Sequence, residues 1–150
     1  MQSITRRAAA QLAIVASATA TTLLLPGVAA ADHDDSAPCG YSADACIDLS
    51  ENRSWLMSGG DVTYGPVPIT HGKPGYETPP GVFTVSFKDK DHVSSIYDAP
   101  MPYSVFFNGG IAFHQGSLQR QSHGCIHLAP EAARTYFYEL EPSDVVEVVP

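Results

Sequence analysis

Short apolar stretches separated by turn-forming residues run from residue 47 to the end of the chain, and this pattern constrains the fold more than any other feature. In residues 81–87, Phe83, Val85 and Phe87 alternate with smaller or polar residues, which predicts a half-buried strand with these three side chains on one face. Glycine pairs between further apolar stretches predict hairpins at 59–60 and 109–110.

The segment 130–140 has a helical pattern instead. Pro130 and Glu131 are typical of a first helical turn, and an apolar stripe at helical spacing runs from Ala133 to Leu140. The charged run at 88–92 predicts a polar loop. Together these patterns predict a mainly β fold: a β-sandwich of short, mostly antiparallel strands with one α-helix at about 130–140, in the C-terminal half.

The N-terminus has the composition of a secretory signal. Arg6 and Arg7 precede an apolar run over 8–25, and small residues at 29–31 fit a cleavage site. We therefore predict a signal peptide at 1–31, an acidic flexible segment at 32–45 and one folded domain at 46–150. The arginine pair fits either the general or the twin-arginine export route, and an uncleaved anchor is the alternative. The predicted location is the cell envelope, the periplasm or the extracellular space.

The charge balance argues against two classes of partner. The chain has 16 acidic and 8 basic residues and a net charge of −8. Such a surface repels nucleic acid and offers no polybasic patch for anionic lipids. We expect no nucleic-acid partner and no membrane span once the signal is cleaved, and the sequence is silent on the oligomeric state.

The chain has three cysteines, which is an odd number for an exported protein. Cys39 and Cys46 are close in sequence, and an oxidising compartment favours a disulfide between them. Cys125 would then be the free thiol. The alternative is that Cys125 pairs with one of the other two.

Cys125 lies between His123 and His127, and His114 precedes this group by a short loop. A thiol becomes a nucleophile when a neighbouring histidine takes its proton, and His114 at the end of a predicted strand is the natural base. In an extended segment, His123, Cys125 and His127 share one face. The backbone N–H groups of Gly124 and Cys125 are candidate donors to a developing oxyanion.

Two other readings of these residues stay open at this point. The three histidines and Cys125 are the right ligand types for a zinc ion, although their spacing is unlike that of common zinc sites. Cys125 is also small enough to serve as an inert core residue.

The run Ser122-His123-Gly124-Cys125-Ile126-His127-Leu128, with His114 upstream, resembles the catalytic signature of the L,D-transpeptidase family, the YkuD-type domain of bacterial cell-wall enzymes. The segment Thr78-Pro79-Pro80-Gly81-Val82-Phe83 is also similar to a family motif. The resemblance covers roughly residues 46–150. It implies a β-sandwich, an exported enzyme that needs no metal or organic cofactor, and peptidoglycan as substrate.

By position, the resemblance implies roles for particular residues. Cys125 corresponds to the acyl-accepting nucleophile, His114 to its base, and the backbone carbonyl of Gln115 to the group that orients the imidazole. His123 and Gly124 correspond to residues that shape the oxyanion pocket. Substrate contacts are implied for three further residues: Tyr103, Ser122 and His127.

Two features depart from the family pattern. Family members usually carry Arg or Asn where this chain has His127, so its contact with a substrate carboxylate would depend on pH. Only seven residues separate His114 from Ser122, which is short for the family and indicates a reduced lid.

The resemblance implies an exported cysteine acyltransferase that forms 3→3 cross-links between peptidoglycan stem peptides through a thioester, releasing D-alanine, and that would be a carbapenem target. Water in place of the accepting amine would make the same site an L,D-carboxypeptidase. A non-catalytic cell-wall binding module on the same fold is the alternative from a different class.

Overall fold

The computed structural model describes residues 36–150, which form nine β-strands and one α-helix. The predicted signal peptide at 1–31 lies outside the described residues. In chain order the elements are β1 (Ala45–Asp48), β2 (Arg53–Ser58), β3 (Asp61–Pro68), β4 (Gly81–Thr84), β5 (Phe87–Val93), β6 (Pro100–Asn108), β7 (Ile111–Gln115), β8 (Ile126–Leu128), α1 (Pro130–Glu139) and β9 (Val145–Val149).

The strands form two mixed sheets. One sheet has the order β3-β2-β1-β9-β4 and the other has the order β5-β6-β7-β8. Neighbouring strands are antiparallel except for two parallel pairs, β1 with β9 and β7 with β8. The predicted mainly β fold with a single helix in the C-terminal half is confirmed, as are both predicted hairpins, at the β2–β3 and β6–β7 turns.

The main core contains residues from both sheets and from α1. Ile47 and Val146 of the first sheet belong to one buried cluster with Val105 and Phe113 of the second. Tyr136 of α1 is fully buried in the same cluster, and its hydroxyl donates a hydrogen bond of 2.9 Å to Ser54 Oγ. The helix therefore packs its apolar stripe on the core, while its one polar group there is satisfied.

The predicted strand at 81–87 is wrong in one respect, because the chain changes sheets within it. β4 ends at Thr84 and pairs with β9, whereas β5 begins at Phe87 and pairs with β6. Between them, Val85 N–H bonds to Asp144 O on one side and Ser86 N–H bonds to Phe106 O on the other. Phe83 and Val85 face inward as predicted, but Phe87 is 48% exposed.

The loop predicted at 88–92 is also wrong, since these residues belong to β5. Lys88 explains how a charged residue is accommodated there. Its Nζ donates to the carbonyl oxygens of Phe137 (3.0 Å) and Leu140 (2.6 Å) and pairs with Glu141. The ammonium group thus satisfies free carbonyls at the C-terminal end of α1, where a positive charge is favourable.

The described part of the segment predicted to be flexible, residues 36–45, is bonded to the domain. A disulfide joins Cys39 to Cys46, the pairing expected from the sequence, with the Cα atoms 5.7 Å apart. Gly40 N–H donates to the Glu147 carboxylate at 2.8 Å, and Ala43 is buried. Contacts of the fold therefore begin before the predicted boundary at residue 46.

None of the helices within residues 36–150 has the length and apolar character needed to cross a membrane.

Candidate active site

A cavity of about 590 Å³ lies beside the second sheet and collects most of the predicted site residues. Its lining includes residues of β6, β7 and β8, of the loop between β5 and β6, and of the loop between β7 and β8. Predicted site residues in its wall are His114, Gln115, Ser122, His123, Cys125 and His127.

The parallel pairing of β7 with β8 brings the thiol and the histidine together. Phe113 is opposite Ile126 and His114 is opposite His127, so Cys125, just before β8, lies beside β7. Alternation along β7 places Phe113 in the main core, while Ala112 packs with Cys125 in a separate cluster. His114 shares that second face and opens into the cavity.

Cys125 is the free cysteine of the described residues. Its Sγ lies 3.6 Å from Gly110 O, to which the thiol donates. Burial raises the pKa of the Cys125 thiol, and a hydrogen bond from the backbone of Ala112 acts in the opposite direction. The resting thiol is therefore protonated at neutral pH, so a nucleophilic role requires a base.

His114 has the arrangement of such a base. The side chain is 6% exposed, and Nδ1 lies 2.7 Å from Gln115 O. A carbonyl only accepts, so Nδ1 carries the proton and Nε2 is left as the acceptor. This is the orienting bond that the family resemblance implied for Gln115.

The protonation of His114 follows from its surroundings. The pKa of His114 is lowered to about 4: burial is the largest cause, the hydrogen bond to the Gln115 carbonyl opposes it, and the neighbouring His127 and His92 add to the lowering. The imidazole is neutral at pH 7 and able to accept a proton. No hydrogen bond joins His114 to Cys125 among residues 36–150, as is common in unliganded sites.

The turn that presents Cys125 is held by hydroxyl groups. Ser122 Oγ donates to Cys125 O at 2.5 Å and accepts from Gly124 N–H at 3.0 Å. Thr78 Oγ1, which is buried, donates to Gly124 O at 2.7 Å and accepts from Gly72 N–H at 3.0 Å. Gly124 has φ 113°, a conformation that favours glycine.

This turn corrects two expectations. Gly124 N–H is already bonded to Ser122, so the oxyanion donor expected there is engaged, and Cys125 N–H remains the candidate donor. The hydroxyl of Ser122 bonds to two backbone groups of its own turn, while the residue lines the cavity and its contact with substrate stays a prediction. The positive φ of Gly124 also interrupts the extended segment that was expected to place His123, Cys125 and His127 on one face. These three residues line one cavity because the chain turns at Gly124.

His123 lies between two tyrosines. Its ring stacks on Tyr97 with centroids 4.5 Å apart and meets Tyr76 edge-on at 4.5 Å. Tyr76 and Tyr97 come from different loops and are about half exposed. The sequence pattern does not predict either tyrosine as a site residue; the only signal was an aromatic residue in a polar, turn-rich loop.

His127 is fixed by the loop after β7. Its Nδ1 lies 3.0 Å from Ser117 O and 3.3 Å from Arg120 O, and these carbonyls require a proton on that nitrogen. The ring meets His114 edge-on with centroids 4.9 Å apart. A side chain at Gly116 would reach within 2.5 Å of this ring, so only glycine allows the loop to pass so close.

Tyr103 does not lie in the cavity wall, and its contact with substrate stays a prediction. Its ring packs against α1, 5.8 Å from Phe137 and 6.4 Å from Tyr138, with Lys90 over its face. The residue has φ 59°, which interrupts the regular alternation of β6 and turns the side chain toward the helix. Met101, two residues earlier, lines the cavity instead.

The described residues contain no group of three or more His, Cys, Asp or Glu side chains arranged to hold a metal ion. The zinc set considered from the sequence is therefore not assembled within residues 36–150.

Comparison with known proteins gives a consistent family. Residues 42–148 match the model of the L,D-transpeptidase catalytic domain, YkuD. A search of curated protein sequences found no match.

Solved structures share the fold. An L,D-transpeptidase from Stackebrandtia nassauensis is 25% identical with a TM-score of 0.69, over 81% of this chain and 62% of that one. The LD transpeptidase LdtMt1, solved in complex with imipenem, is 28% identical with a TM-score of 0.63, over 69% and 56%. An L,D-transpeptidase from Enterococcus faecium is 27% identical with a TM-score of 0.64, over 72% and 50%.

The match thus spans less than two thirds of the length of each of these solved structures. The family model nevertheless covers most of this chain and includes the segment from Thr78 to Leu128 that carried the resemblance. The chain belongs to the family of L,D-transpeptidase catalytic domains.

Proposed function

We propose that this protein is an exported cysteine acyltransferase that joins peptidoglycan stem peptides by 3→3 cross-links. Cys125 is the nucleophile and His114 the base. The observation that carries the proposal is the fixed tautomer of His114: Nδ1–H is held by Gln115 O, and the free Nε2 belongs to the same cavity as the free thiol.

The reaction has two steps. In the first, His114 Nε2 takes the thiol proton while Sγ attacks the carbonyl carbon of the third residue of a donor tetrapeptide. The bond to the terminal D-alanine breaks, the leaving amine receives the proton, and a thioester remains on Cys125.

In the second step, an amine of a neighbouring stem attacks the thioester carbonyl. His114 accepts the proton from this amine, the C–S bond breaks, and the proton returns to the departing thiolate. Cys125 N–H is the proposed donor to the oxyanion in both steps. Water in place of the amine gives L,D-carboxypeptidase activity at the same site.

Export is part of the proposal. The residue pattern at 1–31 supports a signal peptide, and the Cys39–Cys46 disulfide is of a kind that persists in oxidising compartments. The proposed location is the cell envelope, the periplasm or the extracellular space.

Intact-mass spectrometry tests the chemistry. The protein without residues 1–31 is incubated with a tetrapeptide donor or with imipenem, the compound bound in the LdtMt1 structure. We expect a covalent adduct on the protein and none on Cys125→Ala. An adduct that survives the substitution removes Cys125 from the mechanism.

Product analysis separates the two outcomes of the second step. With an amine acceptor present, a cross-linked peptide identifies the transpeptidase and a free tripeptide identifies the carboxypeptidase. A protein that binds the donor without any adduct or product would instead be a binding module.

A further inference from the structure

The cavity has an uneven distribution of charge. Among the described residues that line it, Arg120 is the only Lys, Arg, Asp or Glu. This holds although acidic residues outnumber basic ones by two to one in the whole chain, at 16 to 8. The lining therefore has one permanent charge, and that charge is positive.

Within residues 36–150, the Arg120 guanidinium forms no ion pair with a carboxylate. The ion pairs of Lys88 and His92 in this part of the chain do not involve Arg120. The residue is exposed at the cavity rim. A cation without an internal counter-ion is available to an anionic ligand.

The backbone of Arg120 is nevertheless held in place. Its carbonyl oxygen lies 3.2 Å from Thr70 Oγ1, which donates to it, and 3.3 Å from His127 Nδ1. These bonds fix the loop after β7 against β8, the strand that follows Cys125. Arg120 therefore has a positioned backbone and lines the same cavity as Cys125.

His127 is less suited to hold an anion permanently. Its Nδ1–H is directed at the carbonyls of Ser117 and Arg120, so only Nε2 is left for a ligand. A neutral imidazole offers that nitrogen as an acceptor, which repels a carboxylate oxygen. A guanidinium is charged at every relevant pH and donates two parallel hydrogen bonds to a carboxylate.

We infer that Arg120 binds the terminal carboxylate of the donor peptide and so determines the preference of this site for an anionic substrate. The inference rests on the proposed function. The terminal carboxylate belongs to the residue that leaves when Cys125 attacks, so it lies within one residue of the thiol, and Arg120 lines the same cavity as that thiol.

Binding to an unreactive protein tests the inference. In a Cys125→Ala background, calorimetry measures Kd for a tetrapeptide acid and for its C-terminal amide, with and without Arg120→Gln. We expect Arg120→Gln to weaken binding of the acid by about two- to fivefold, in the range of exposed ion pairs, and to leave binding of the amide unchanged. Added salt should reduce the difference.

Two matched variants serve as controls. Arg134→Gln removes the same charge from α1, where Arg134 stacks on Tyr138 away from the cavity lining, and should change neither Kd. Arg120→Lys keeps the charge without the paired donors and should retain part of the affinity for the acid. Thermal unfolding of each variant verifies the fold.

Three results would overturn the inference. Arg120→Gln could weaken binding of the acid and the amide equally, or weaken binding of neither, or the acid could show no measurable binding to the protein with Arg120 intact. The proposed function fails on a different measurement, the absence of a Cys125 adduct by intact mass. The two failures are therefore distinguishable.

Discussion

At the scale of single residues, the environment of His114 makes stability depend on pH. Burial lowers its folded pKa to about 4, whereas an imidazole in an unfolded chain titrates near its ordinary value of 6.5. Between these values the unfolded state binds more protons. Stability is therefore fully present above about pH 6.5 and is lost as pH falls toward about 4.

We expect this loss to be about 3 kcal/mol for the wild type, since one pKa unit corresponds to about 1.4 kcal/mol. His114→Gln lacks the titrating group, so its free energy of unfolding should fall less over the same range. Urea unfolding of both proteins between about pH 7.5 and pH 4 measures the difference. Parallel curves for the two proteins would contradict the assignment of a buried, neutral His114.

The thiol of Cys125 supplies the second prediction at this scale. Because burial raises its pKa, the free protein should react slowly with iodoacetamide at neutral pH, and the rate should rise on the alkaline side of the ordinary thiol range. Alkylation rates measured against pH, with Cys125→Ala as the blank, test this. A plateau already reached at neutral pH would indicate a preformed thiolate and a different role for His114.

At the scale of elements, the turn before β8 depends on a residue far away in sequence. The hydroxyl of Thr78 bonds to both Gly72 N–H and Gly124 O, and the side chain is 2% exposed. The TPxGxF-like motif thus has a physical role: its threonine connects the loop after β3 to the Cys125 turn.

Thr78→Val keeps the shape of this side chain and removes both bonds. We expect a loss of stability of roughly 2 kcal/mol, because two buried backbone groups lose their partners, together with a lower rate of Cys125 acylation. Thr135→Val removes a hydroxyl that bonds to Glu131 O on the exposed side of α1 and is the matched control. Unchanged stability and acylation in Thr78→Val would show that the turn holds without this hydroxyl.

The elements also show where sequence reasoning succeeds. Hairpins at Gly59-Gly60 and Asn108-Gly109-Gly110, and the helix that begins at Pro130, were predictable because local residues determine them. The division of residues 81–87 between two sheets was not, because the partners that separate Val85 from Ser86 are distant residues. Likewise, the charges of β5 predicted a loop, because the bond from Lys88 to the end of α1 joins residues that are distant in sequence.

The same distinction applies to the site. The sequence identified Cys125, His114 and the Gln115 carbonyl, because a motif and a strand end place them. The direction of Tyr103 toward α1 could not be predicted, because its positive φ changes the face of β6, which alternation cannot reveal. Tyr97 and Arg120, which line the cavity, and Tyr76, which contacts His123, were missed because they belong to loops whose paths depend on tertiary contacts.

At the scale of the whole molecule, the cysteines divide into a disulfide-bonded pair and one free thiol. The disulfide closes a loop over residues 39–46, which bonds to Glu147 of β9. None of these residues lines the cavity. We expect one reactive thiol when the mature protein is denatured without reductant and three after reduction. Thiol titration counts them, and three thiols before reduction would contradict the bridge.

The order of strands in the first sheet determines when the domain can finish folding during synthesis. β9, which comes last in chain order, lies between β1 and β4 and pairs with both. Until residues 145–149 emerge during synthesis, β4 lacks its pairing strand in the first sheet, and Ile47 lacks its partner Val148. Native closure of the first sheet therefore waits for residues 145–149.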